Sequence, residues 1–115
     1  MIIFVTKYLS MKFISPLELK NKMDEGHEVI ILDVREPYEL DICNIDAMHI
    51  PMAEVPSRLD EIPSSGIVVV MCKSGQRASA VANMLVQEFE RGNIEILEGG
   101  ILGWIDQVDN TLEAY

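Results

Sequence analysis

One short stretch of the sequence combines a nucleophile with groups that bind anions. Its six residues are Cys72, Lys73, Ser74, Gly75, Gln76 and Arg77. A cysteine thiolate is a strong nucleophile, and backbone N–H groups with nearby positive charge favour the thiolate over the thiol. Lys73 and Arg77 supply charge, Ser74 supplies a hydroxyl donor, and Gly75 permits unusual backbone conformations. We therefore predict that Cys72 is catalytic and that residues 73–77 bind an anionic substrate.

A cysteine at the end of a buried strand is more often a packing residue than a nucleophile. The polar run after Cys72 serves no packing need, and this favours the functional interpretation. By the same argument we expect Arg77 to bind an anion and not to pack. An Arg77→Ala substitution should then weaken the use of anionic donors more than it harms folding.

The elements on either side of the loop determine where it lies. Residues 67–71 form an apolar, β-branched run that predicts a buried parallel strand. Residues 78–89 have the broad apolar face of a helix. A loop between such a strand and such a helix receives the positive end of the helix dipole and the free N–H groups of the first turn.

The rest of the chain also alternates between strands and helices. Ser15, Pro16 and Glu18 have the pattern of a capped helix start, and Gly26 is placed to end that helix. Further strands are predicted at residues 12–14, 29–34, 47–50 and 94–97, and helices at 55–60 and 99–108, with residues 38–46 irregular. This alternation predicts an α/β fold with a central, mostly parallel sheet of about five strands flanked by helices on both sides. Sites in such sheets form at the carboxyl ends of strands, where Cys72 lies.

Composition restricts the partners and the compartment. The 115 residues are enough for one domain, and the net charge of −10 disfavours binding to nucleic acid or to an anionic membrane. Two cysteines are too few for a disulfide scaffold, and neither they nor His27 and His49 have the spacing of metal ligands. We expect a cytoplasmic protein with reduced thiols and with no metal or cofactor.

The first residues of the chain are apolar. They are too few to span a membrane and lack the features of a signal peptide. We interpret residues 1–11 as an N-terminal extension or an added edge strand, and residues 12–115 as the domain itself.

Four motifs, in order, give the chain its resemblance to a single rhodanese domain. They are residues 33–37 (Asp-Val-Arg-Glu-Pro), 49–51 (His-Ile-Pro), 72–77 (the Cys72 loop) and 99–104 (Gly-Gly-Ile-Leu-Gly-Trp). The resemblance implies a sulfurtransferase in which Cys72 takes sulfane sulfur from a donor such as thiosulfate, becomes a persulfide, and passes the sulfur to a thiophilic acceptor in a ping-pong sequence. It also implies that Asp33 and Arg35 support the site, although a structural ion pair is an equal alternative for them.

One stretch departs from the family pattern. Residues 43–47 are Cys-Asn-Ile-Asp-Ala, where family members often carry a longer, glycine-containing motif. The variant resembles rhodanese domains fused behind E1-like adenylating enzymes, which implies a protein sulfur relay. Cys43 is then either a resolving thiol or, as we favour, a packing residue.

Two other functions remain open. Phosphatases and arsenate reductases of related fold also use a loop from Cys to Arg, but with one more residue than the four between Cys72 and Arg77. The shorter loop suits a sulfur atom on Cys72 better than a tetrahedral oxyanion beside it. Other domains of this fold serve as non-catalytic binding or regulatory modules, although these lack the cysteine that is retained here.

Overall fold

A computed structural model describes residues 11–115 of the chain. Its centre is a five-stranded sheet in which every neighbouring pair of strands is parallel. The strands are β1 (Lys12–Ile14), β2 (Val29–Asp33), β3 (Met48–His49), β4 (Ile67–Met71) and β5 (Ile94–Leu97), in the spatial order β1-β5-β4-β2-β3. The prediction of a mostly parallel α/β sheet of about five strands is confirmed.

Residues 11–115 contain four α-helices and two short 3₁₀-helices; the last α-helix follows β5, and the others connect strands. They are α1 (Pro16–Asp24), α2 (Pro37–Ile42), α3 (Gln76–Gln87) and α4 (Gly100–Gln107), with 3₁₀-helices at Met52–Ser57 and Leu59–Glu61. The start of α1 is the predicted one: Ser15 Oγ accepts from the Glu18 N–H, and the Glu18 carboxylate accepts from the Ser15 N–H. Both interactions satisfy N–H groups that the helix itself leaves free.

The core lies on both faces of the sheet, because successive residues of β4 point in opposite directions. Val68 and Val70 face a cluster completed by Val81 and Leu85 of α3. Val69 and Met71 face a second cluster that contains residues of α1 and α4, including Leu19, Ile101 and Trp104. A strand buried on both faces needs the continuous apolar run that residues 67–71 provide.

Two regions differ from the sequence predictions. Residues 38–46 were expected to be irregular, but the first of them belong to α2, which begins with Pro37 directly after Glu36. A proline in the first turn of a helix loses no hydrogen bond, so Pro37 starts a helix here, and the preceding strand ends earlier, at Asp33. The helix expected at residues 55–60 is replaced by the two 3₁₀-helices, and Pro56 lies inside the first of them.

The expectation for an added strand in residues 1–10 lies outside the described residues. Within residues 11–115, no helix has the length and apolar character that crossing a membrane requires.

Candidate active site

Cys72 follows β4 directly and is almost fully buried, with 1% of its surface exposed. Its Sγ accepts the Gly75 N–H at 3.1 Å and the Ala78 N–H at 3.3 Å. Ala78 is the third residue of α3, so the sulfur occupies the position at which a helix N-terminus binds an anion. The arrangement can stabilise negative charge on Cys72 or on an atom attached to it.

The loop is shorter than the sequence suggested. Gln76 and Arg77 were assigned to the loop, but they form the first turn of α3, which begins after Gly75. Gly75 has φ +114°, a backbone conformation that L side chains rarely adopt. This glycine turns the chain from β4 into α3 tightly enough for its own N–H to point at the sulfur.

The first turn of α4 holds the loop from its other side. The Ile101 N–H donates to the Cys72 carbonyl at 2.9 Å, and the Leu102 N–H donates to the Lys73 carbonyl at 3.2 Å. Gly100 makes this close approach possible, because a Cβ there would lie 2.4 Å from the Lys73 carbonyl oxygen and 2.5 Å from that of Cys72. With these carbonyls directed at α4, the loop N–H groups are free to face the sulfur.

Arg77 forms a bidentate ion pair with Glu39 of α2. Its two terminal nitrogens lie 2.6 and 2.9 Å from the carboxylate oxygens. The Glu39 side chain is buried, and its hydrogen bonds with Arg77 lower its pKa from 4.5 to about 2. Arg77 therefore has a structural contact that the sequence did not reveal, and the expectation that Arg77→Ala would spare the fold no longer follows, because the substitution would leave a buried carboxylate unpaired.

Asp33 and Arg35 lie behind this pair at the end of β2. Arg35 is completely buried and makes a forked contact with the Asp33 carboxylate, 2.8 Å from Nη2 to Oδ2. The same guanidinium donates to the carbonyls of Glu39 and Cys43. These hydrogen bonds join the end of β2 to α2, which carries the partner of Arg77.

Tyr115 is a further residue of the site that the sequence did not single out. Its hydroxyl lies 2.5 Å from Glu39 Oε2 and accepts from Arg35 Nη1 at 3.0 Å. The Nζ of Lys73 lies 4.6 Å from the centre of its ring. Burial raises the pKa of Tyr115 to about 12, so the phenol keeps its proton and donates it to Glu39.

The remaining predicted residues, Ser74 and Gln76, have exposed side chains on the outer side of the loop. They line an open groove of about 460 Å³ together with Phe13 of β1 and the end of β5. Cys72 is not among the residues that line this groove. The structure therefore brings Lys73 and Arg77 into the charged network around the loop and directs Ser74 and Gln76 elsewhere.

Cys43 lies on the opposite side of the sheet from Cys72. It belongs to the cluster beneath α1 and α4, whereas Cys72 belongs to the cluster beneath α3. Cys43 is buried, and the guanidinium of Arg35 lies 4.0 Å from its Sγ. Both thiols are free. Within residues 11–115, no group of His, Cys, Asp and Glu side chains has a metal-binding arrangement.

The fold and the site together define a parallel α/β domain with a buried cysteine held at the N-terminus of the helix after a central strand. A family model described as a rhodanese-like domain matches residues 15–107. The chain belongs to the rhodanese-like family.

Relatives and solved structures agree with this assignment. A putative sulfurtransferase of Bacillus subtilis, YtwF, is 32% identical over 98 residues, which are 84% of this chain and 92% of that protein. The probable adenylyltransferase/sulfurtransferase MoeZ of Mycobacterium tuberculosis is 35% identical over 105 residues, 89% of this chain but 26% of that protein. The chain thus spans about a quarter of MoeZ. A rhodanese-like domain protein of Staphylococcus aureus superposes with a TM-score of 0.70 at 34% identity, covering 91% of this chain and 99% of that one.

Proposed function

We propose that this domain is a sulfurtransferase that carries sulfane sulfur as a persulfide on Cys72. The observation that carries the proposal is the pair of N–H groups, from Gly75 and Ala78, that point at Cys72 Sγ. A nucleophilic sulfur and a negatively charged sulfur adduct need the same donors, and these two N–H groups supply them. Relatives named sulfurtransferases support sulfur transfer as the type of reaction.

The reaction has two half-reactions. The Cys72 thiolate attacks the outer sulfur of thiosulfate, a sulfur–sulfur bond forms to Cys72, the sulfur–sulfur bond of thiosulfate breaks, and sulfite leaves with the electron pair. The thiolate of an acceptor, or cyanide, then attacks the terminal sulfur of the persulfide and releases the Cys72 thiolate. The α3 N-terminus stabilises the anionic sulfur in each state.

The contacts of Arg77 weigh against a phosphatase. In a phosphoryl-transfer site the arginine must be available to hold the oxyanion in a bidentate manner. Here both terminal nitrogens of Arg77 are engaged by Glu39, and Cys72 is almost fully buried.

Intact mass spectrometry tests the proposal. After incubation with thiosulfate and removal of excess donor, we expect a gain of about 32 Da, one sulfur atom, that cyanide then removes as thiocyanate. Cys72→Ser should show no gain. Cys43→Ser is the matched control, since it removes a buried thiol on the other face of the sheet, and it should gain the same mass as the wild type.

An unchanged mass in the folded wild-type protein would overturn the proposal and favour a non-catalytic binding module. Turnover of an aryl phosphate that Cys72→Ser abolishes would instead establish phosphatase chemistry. Equal mass gain at Cys43 and Cys72 would contradict the assignment of Cys72 as the carrier.

A further inference from the structure

Tyr115 connects three charged groups that come from different parts of the chain. Its hydroxyl bridges Glu39 of α2 and Arg35 at the end of β2. Its ring lies under the ammonium group of Lys73, the residue next to Cys72. The two hydrogen bonds hold the ring in place. The ring in turn holds the Lys73 ammonium group at a defined position through a cation–π contact.

The two cations of the Cys72 region are held in different ways. The charge of Arg77 is compensated by the buried carboxylate of Glu39. Lys73 is held by a neutral ring, which leaves its charge uncompensated at that contact. Lysine is a flexible chain with a point charge at its end, so its electrostatic effect on a neighbouring site depends on where that end is held.

Tyr115 brings the charge of Lys73 to the Arg77 side of the loop. Its hydroxyl contacts the same Glu39 carboxylate that Arg77 contacts, so ring, carboxylate and guanidinium lie in one connected row. The ammonium group of Lys73 lies over the Tyr115 ring, which is one end of this row. Without the ring, the ammonium would move freely in solvent, and its average effect on an approaching anion would fall.

We propose that Tyr115 is a positioning residue that fixes Lys73 beside the Cys72 site and thereby sets the preference of the site for anionic over neutral reagents. This inference takes its substrate class, an anionic sulfur donor, from the proposed function. The position of the Lys73 charge does not depend on that function. The role can therefore be tested with reagents that need no sulfur chemistry.

Alkylation of Cys72 provides the test. Iodoacetate and iodoacetamide carry out the same displacement of iodide by the Cys72 thiolate, but only iodoacetate is an anion. The ratio of their rate constants at Cys72, followed by peptide mass spectrometry, reports the local charge and is insensitive to a general change in access. We expect the ratio to fall about threefold in Tyr115→Leu, as for loss of one exposed cation–π contact, and to fall less in Tyr115→Phe, which keeps the ring.

A double-mutant cycle shows whether Tyr115 acts through Lys73. Lys73→Met alone should lower the ratio, and adding Tyr115→Leu to Lys73→Met should lower it no further. An unchanged ratio in a folded Tyr115→Leu protein would overturn the proposal, as would an equal fall in the presence and absence of Lys73. If Tyr115→Leu does not fold, the same cycle is carried out with Tyr115→Gln, which also removes the ring but keeps a polar group that can contact Glu39.

Thiosulfate kinetics separate this inference from the proposed function. If both hold, Tyr115→Leu raises the KM for thiosulfate by a factor similar to the fall in the alkylation ratio, with kcat little changed. If the alkylation ratio responds but no variant transfers sulfur, the proposed function fails and the role of Tyr115 stands. If sulfur transfer is normal and the alkylation ratio is unchanged in Tyr115→Leu, the role of Tyr115 is refuted and the proposed function stands.

Discussion

At the level of single residues, the three buried charged side chains near the Cys72 loop, those of Asp33, Arg35 and Glu39, each have a partner of opposite charge. Asp33 and Arg35 are fully buried and face one another, and Glu39 is buried against Arg77. A buried ion without its partner costs several kcal/mol, so removing one member of either pair destabilises the protein through the member that remains.

Glu39 should make the stability of the protein depend on acid pH. Its pKa is lowered from 4.5 to about 2 by Arg77, so the native state binds a proton at Glu39 less readily than the unfolded chain does. The resulting stabilisation is complete above pH 4.5 and disappears as the pH falls through 2, and it amounts to roughly 3 kcal/mol. Urea unfolding at a series of pH values between 2 and 6 measures it.

A Glu39→Gln substitution should remove this pH dependence while lowering stability at neutral pH. Glu113→Gln, which changes an exposed carboxylate, is the control and should follow the wild-type curve. If Glu39→Gln and the wild type lose stability in parallel between pH 5 and 2, the ion pair with Arg77 does not contribute as described.

Residue types near Cys72 could be predicted from the sequence, but their partners could not. The cysteine, the following glycine and the two cations stand within six consecutive positions. Glu39 is 38 residues from Arg77, and Tyr115 is 76 residues from Glu39. Such contacts depend on how helices and strands are arranged in space, and a single sequence has no local signal for them.

At the level of elements, α4 is the support of the Cys72 loop. The first turn of α4 has no space for a side chain at Gly100, because a Cβ would lie too close to the carbonyls of Cys72 and Lys73. The backbone of Gly100 also has φ +60°. Glycine is needed there for both reasons, the backbone conformation and the space.

Gly100→Ala should therefore destabilise the protein by about 2 kcal/mol or more, since the obstructing atoms belong to the backbone and cannot move away cheaply. It should also change the alkylation rate of Cys72, because the loop carbonyls must shift. Gly92→Ala is the matched control: its Cβ would meet no atom within 4 Å. Equal midpoints of chemical unfolding for Gly100→Ala and Gly92→Ala would contradict this role for Gly100.

The strands were easier to predict than the ends of the helices. β1, β4 and β5 have the predicted bounds, because each is a compact apolar run between turn residues. The sequence predicts the start of α3 two residues too late, because Gln76 and Arg77 suit an anion-binding loop and the residue before them, Gly75, has no capping side chain. The cap here is the sulfur of Cys72 itself, which receives the N–H of Ala78.

At the level of the whole molecule, the surface charge opposes the proposed donor. The protein carries a net charge of −10, and thiosulfate is a dianion. Repulsion between like charges slows their encounter, and added salt weakens that repulsion.

The value of kcat/KM for thiosulfate should therefore rise, by about twofold or more, when ionic strength increases from roughly 0.01 to 0.15 M. Alkylation by neutral iodoacetamide should change little over the same range and serves as the control. A fall in kcat/KM with added salt would mean that Lys73 and Arg77 dominate the field that the donor meets.

The docking of α4 on the Cys72 loop also affects the order in which the protein can mature. During synthesis, Cys72 is made well before Gly100–Leu102, the segment that holds the loop carbonyls, and β1 is made long before its partner β5. The early chain thus presents a thiol without its fixed amide donors and an edge strand without a neighbour. We therefore expect Cys72 to gain its fixed surroundings only when α4 packs against the sheet, so that formation of the site and completion of folding are coupled.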